Sequence, residues 1–140
     1  MKQHTTELRI STREPMEFID ITDEVKRAFS ASGVTDGALT VFTRHTTTAV
    51  KVNERCDRLQ QDMLDVLKGA VPARGWRHDE GTVDGRPNAR GHLMSMFLNS
   101  SETIPVSGGS LALGGWQSVF LVELDGPRTE RRVIVKVMGE

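Results

Sequence analysis

Three of the four histidines in this chain stand where imidazoles do chemistry. His45 follows the β-forming run Ala38-Leu39-Thr40-Val41-Phe42-Thr43 and precedes Thr46, Thr47 and Thr48. His78 lies beside Asp79 and Glu80 in a stretch rich in glycine and proline, and His92 follows Asn88-Ala89-Arg90-Gly91 at the start of an apolar segment. An imidazole titrates near neutrality and binds zinc when neutral, so three converging rings serve either as acid–base groups or as metal ligands with a fourth position open. Their spacing fits no local metal motif, so convergence has to come from the fold. The plainer reading is three surface or hydrogen-bonded histidines.

Groups suited to anions surround them. The hydroxyls of Thr46 and Thr47, with Arg44 or Lys51 nearby, can hold a phosphate, although threonines also simply favour strands. Asn88 and Arg90 precede His92 at an expected helix N-terminus, where exposed amides attract anions. Gln117 follows the turn Gly114-Gly115-Trp116 at a rim, with Trp116 a candidate for the core. Arg128, in the turn Asp125-Gly126-Pro127-Arg128, is either a phosphate clamp or a solvated cation. Glu54 reads as a base or as a partner orienting a histidine, or else it only charges the front of the next helix. Cys56 lies between Arg55 and Asp57 with no evident base and is not a candidate nucleophile.

The elements that must position these groups are mostly strands. Alternation at Leu8 and Ile10, then Phe18 to Ile21, predicts two strands around Pro15. Thr22 reads as the cap of a helix with the stripe Val25, Ala28 and Phe29, closed by Gly33. Asp57 reads as the cap of a second helix through Leu59, Met63, Val66 and Leu67, ended by Gly69 and Pro72. Residues 72–91 form a long loop of the kind that binds something, and a short helix is expected over His92–Leu98. The last third predicts four strands, near residues 103–106, 110–113, 117–124 and 130–138. The third is apolar on both faces except at Glu123, which marks it as central. One α+β domain over residues 1–140 results, with a strand-rich, mainly antiparallel core and two to three helices.

Bulk composition narrows the partners. The formal net charge is −1, with 18 Lys and Arg against 19 Asp and Glu, so no basic excess draws a nucleic acid. Cys56 is the single cysteine, which excludes an internal disulfide and a CxxC site. The opening residues lack the apolar run of a secretory signal and no segment reaches membrane-spanning length, so the expected compartment is the cytoplasm.

Taken in order, several blocks resemble the YjbQ family, described as secondary thiamine-phosphate synthases. They are His45-Thr46-Thr47-Thr48-Ala49 with Val52-Asn53-Glu54, Trp76-Arg77-His78, and Asn88-Ala89-Arg90-Gly91-His92-Leu93. Ile104-Pro105-Val106, Leu113-Gly114-Gly115-Trp116-Gln117 and Glu123-Asp125-Gly126-Pro127-Arg128 complete the set. Trp76 replaces a more usual Tyr, and Gly115 takes a place often held by Thr. The resemblance implies a compact α+β fold, a homotrimer and histidine blocks close together. It also implies weak joining of a hydroxymethylpyrimidine diphosphate to a thiazole phosphate. His45, His78 and His92 would then hold a divalent ion, Zn²⁺ or Mg²⁺, with Glu54 moving a proton and Thr46, Thr47, Asn88, Arg90, Gln117 and Arg128 binding a phosphorylated ligand. A metal-dependent phosphoester hydrolase and a non-catalytic metal- or metabolite-binding trimer are the alternatives.

Overall fold

The computed structural model describes residues 1–140. The elements run β1 (Lys2–Ile10), β2 (Glu17–Asp20), α1 (Thr22–Ser32), β3 (Gly37–Thr43), β4 (Thr48–Glu54) and α2 (Asp57–Ala70). They continue as α3 (Ala89–Ser95), β5 (Ser101–Ser107), β6 (Ser110–Leu111), β7 (Gln117–Glu123) and β8 (Arg131–Gly139). One 3-10 turn, Arg77–Asp79, interrupts the loop between α2 and α3.

Two antiparallel sheets stack face to face. The larger has the order β1-β8-β3-β5-β6 and the smaller β2-β7-β4. Alternation on β8 buries Val133, Val135 and Val137, which meet Leu39 and Val41 of β3 and Val119 and Leu121 of β7 in one core. Helix α1 adds Val25 and Ala28 to the same core. The opposite face of β7 buries Phe120 and Val122 against Leu67 of α2 and Met94 of α3. β7 is therefore central in its sheet and covered on both faces, as its nearly unbroken apolar run predicts. Each such side chain contributes about 1.5–3 kcal/mol on burial. No helix is long and apolar enough to cross a membrane.

Local details depart from the sequence-based expectation where a distant group intervenes. Asp20, not Thr22, caps α1: its Oδ1 accepts the Thr22 amide at 2.9 Å. The Thr22 hydroxyl instead accepts the Val119 amide at 2.8 Å, tying α1 to β7. Asp57 is the first residue of α2 and Cys56, not Asp57, holds the cap position, where Gln60 reaches back so that its Oε1 accepts the Cys56 amide at 2.8 Å. α3 begins three residues ahead of His92, because Asp79 Oδ1 accepts the Ala89 amide at 3.0 Å from across the loop. Trp116 is 79% exposed and belongs to no core.

Gly91 sets the position of α3. A Cβ there would lie 2.6 Å from the Leu124 carbonyl oxygen, so only glycine allows the helix to press this closely on the end of β7. His92, the next residue, is thereby fixed against the smaller sheet.

Candidate functional site

The site grows from one end of the inter-sheet core. Glu123 follows Val119 and Leu121 on the inward face of β7, and Arg131 precedes Val133 on the inward face of β8. Both are almost wholly buried, at 0% and 2% exposure. Arg131 Nε donates to Glu123 Oε1 at 2.9 Å, and its Nη2 donates to Glu123 Oε2 and to the Thr47 hydroxyl at 3.0 Å. Thr12 Oγ1 donates to Glu123 Oε1 at 2.7 Å, and the Leu124 and Asp125 amides donate to Oε2. Burial alone would raise the Glu123 pKa; bonds from Arg131 and Thr12 and the Arg131 charge outweigh it and hold the carboxyl below its ordinary value.

His45 lies within the field of this ion pair. Its turn is held by the Thr43 and Thr48 hydroxyls, 2.6 Å apart, and by the Thr48 hydroxyl donating to the His45 carbonyl at 3.2 Å. The Arg132 amide donates to His45 Nε2 at 2.8 Å. Nε2 is thus the bare nitrogen and Nδ1 carries the proton, a tautomer assigned from that bond. Burial first, then the charges of Arg131 and Arg128, lower the His45 pKa, opposed by Glu123. The ring is a neutral donor at physiological pH.

His78 and His92 meet edge to face, with ring centroids 4.8 Å apart. The loop that carries His78 is fastened to one carboxylate. Asp125 accepts Arg86 Nε at 3.2 Å and Nη2 at 3.0 Å, Asn88 Nδ2 at 2.7 Å and Arg128 Nη2 at 2.8 Å. Burial alone would raise the Asp125 pKa, but the bonds from Arg86, Asn88 and Arg128 prevail and lower it. Asn88 Oδ1 in turn lies 3.0 Å from His78 Nε2.

Two cavities adjoin at His92. One, of about 620 Å³, is lined by Gly75, Trp76, Arg77, His78, Ala89, His92 and Leu93. The other, of about 520 Å³, is lined by Phe42 to Thr46, Thr48, His92, Ser95, Asn99 and Ser100. Half the groove is therefore aromatic and imidazole, and half is hydroxyl-rich with Arg44 at its edge. That division suits a small molecule with a ring at one end and an anion at the other.

The structure redistributes the residues singled out from sequence. His45, His92 and Thr46 line one cavity, and His78 joins His92 in the other. Thr47 is buried and engaged by Arg131, so it holds the protein and not a ligand. Arg90 caps the end of α2, donating to the Val71 carbonyl at 2.9 Å and the Lys68 carbonyl at 3.0 Å. The α3 amide expected to attract an anion is already taken by Asp79. Arg128 folds back on Asp125 but still faces His45 electrostatically. Glu54 and Gln117 pair across β4 and β7, six residues from the Thr48 and Glu123 pair, so about 20 Å of strand separates them from His45 in the same chain.

No group of three or more His, Cys, Asp or Glu side chains is disposed to hold a metal ion. The reason at His45 is chemical: its one lone pair already accepts the Arg132 amide. A three-histidine centre does not fit this chain's arrangement. Sequence reasoning missed Arg131, Asp125 and Arg86 as organisers of the site. The available signals were a lone acid in an apolar strand, Glu123, and an arginine in register with the valines of β8.

Residues 6–140 match the family model described as UPF0047 protein YjbQ-like. A UPF0047 protein of Methanothermobacter thermautotrophicus is 42% identical over 140 residues, covering 100% of this chain and 95% of the relative. The UPF0047 protein YugU of Bacillus subtilis is 36% identical over 134 residues, covering 94% and 97%. Among solved structures, a YbjQ-like protein of unknown function from Sulfolobus solfataricus superposes with a TM-score of 0.93 at 38% identity, covering 99% of both chains.

Proposed function

The chain belongs to the YjbQ-like UPF0047 family, and on that premise we propose that it is an enzyme acting on a phosphorylated small molecule in the groove around His92. One observation carries the reading: His92 joins a hydroxyl-rich cavity containing the neutral donor His45 to an aromatic cavity containing His78. The phosphoryl group sits among His45, Thr46, Ser95 and Arg44, and the remainder of the ligand lies against Trp76 and Leu93. His78 and His92 move protons, a role suited to imidazoles beside a bound ester.

The weak thiamine-phosphate synthase activity implied by the resemblance is the finer form of this reading. There the groove binds both phosphorylated rings, and donors at the His45 end stabilise departing diphosphate as the thiazole nitrogen attacks. The cytoplasmic, homotrimeric state belongs to the same proposal. Phe97 and Val66, 62% and 70% exposed beside a cleft containing Phe18 and Met63, give such an assembly an apolar surface to cover.

Titration with inorganic phosphate and diphosphate, followed by amide and ring NMR, tests the reading. Saturable shifts at Thr46, His45, His92 and Ser95, lost in His92→Ala, are expected. Shifts that stay linear, or that appear elsewhere on the surface, overturn it. Mixing the two thiamine precursors and assaying thiamine phosphate then separates the synthase form from the broader one.

A further inference from the structure

The hydrogen bonds around the two cavities fix where each proton sits. Asp125 carries an ionised carboxylate with donors from Arg86 and Arg128, so it can only accept from Asn88. The Asn88 nitrogen must therefore face Asp125, which turns Oδ1 toward His78 at 3.0 Å. An amide oxygen only accepts, so His78 Nε2 must donate. His45 meets the opposite demand, because its Nε2 accepts the Arg132 amide.

We propose that Asp125 and Asn88 are positioning residues that hold His78 as the Nε2–H tautomer, leaving Nδ1 as the proton acceptor of the groove, while the Arg132 amide holds His45 in the reverse tautomer with Nδ1 as a donor. The two imidazoles then present unlike free atoms on either side of His92. A ligand that satisfies both must accept a hydrogen bond at the His45 end and donate one at the His78 end. A phosphoryl oxygen meets the first demand, and a hydroxyl or N–H meets the second. This narrows the substrate class, and rests on the phosphorylated-ligand reading above: a phosphate ester or diphosphate whose organic part carries an exchangeable proton. A ligand with a phosphate at both ends and no such donor leaves the His78 lone pair unpaired and is disfavoured.

The carboxylate behind an amide behind an imidazole orients the ring much as outer carboxylates orient metal-bound or catalytic histidines. Here the intervening Asn88 also locks the loop, so the same bonds that set the tautomer hold the cavity wall.

Two-bond proton–nitrogen correlation spectra of the ligand-free, nitrogen-15-labelled chain read the tautomers directly at about pH 8.5, two units above the ordinary imidazole value. His78 is expected to show a protonated Nε2 and bare Nδ1, and His45 the reverse. Asn88→Ala should move His78 to an averaged pattern and leave His45 unchanged, which controls for folding. A His78 ring that is Nδ1–H in wild type, or unaltered by Asn88→Ala, overturns the proposal. Because no ligand is present, that failure is distinct from failure of phosphate to bind.

Discussion

Replacing Glu123 with Gln tests the organisation of the site at its root. The substitution keeps the side-chain shape but leaves Arg131, 2% exposed, without its counter-charge. It also puts an NH₂ donor in place of one of the two oxygens that between them accept from Arg131, Thr12 and two backbone amides. Breaking a buried pair by removing one partner costs about 3–5 kcal/mol, because the remaining charge is stranded. With a urea slope of about 2 kcal/mol per molar, the denaturation midpoint falls by about 2 M. The double replacement Glu123→Leu with Arg131→Met removes both charges and should recover most of that loss. Equilibrium urea unfolding followed by tryptophan fluorescence measures all three proteins. A Glu123→Gln loss below about 1 kcal/mol would show that water or movement relieves the charge, and would refute the reading of Glu123 and Arg131 as a dry pair in which each charge depends on the other.

Acid should weaken the fold in two stages. The folded pKa of His45 is depressed, so unfolding takes up a proton and stability falls as pH drops below 6.5 toward the folded value. Glu123 and Asp125 are also depressed, so their contribution is present above about 4.5 and 3.8 and is lost as pH falls through their folded pKa values. Thermal melts between neutral and acid pH check this, and the first stage should vanish in His45→Gln. Mass spectrometry of protein purified without chelator should find no stoichiometric transition metal held by the histidines; one ion per chain, lost in His45→Ala with His92→Ala, would show that His45 gives up its Arg132 bond. Gly91→Ala should displace α3 through its clash with the Leu124 carbonyl, shifting His92 signals and weakening phosphate binding, as NMR titration would reveal. Light scattering should give three times the chain mass, falling toward one in Phe97→Asp.

The sheets were legible because their alternation is unambiguous: Val133, Val135 and Val137 face one way, and β7 is apolar on both faces. The spacing of His45, His78 and His92 did not fix their convergence, which only the family resemblance implied; in the fold His92 lines both cavities, with His45 in one and His78 in the other. Less accessible were the partners of each charged group. Nothing local tells that Arg90 will cap α2, or that Asp79 will cap α3 ten residues later. Glu54 looked close to His45 because the two are near in sequence, yet an extended strand converts that nearness into distance. Thr47 looked available and is buried, because the loop after β3 turns inward toward Arg131. Sequence pattern speaks to faces and periods; it does not say which side chains cancel one another.

The position of β8 has a consequence for the order in which the larger sheet can form. β8 lies between β1 and β3, so β1 has no sheet partner until β8 is in place. Pairings this distant in sequence close slowly. Until then β1 is an unpaired edge, and the alternation of Glu7 and Arg9 with Leu8 and Ile10 keeps charge on one face of that waiting strand. Completion of the larger sheet, and with it the placing of the Arg132 amide that orients His45, is therefore a late step of folding.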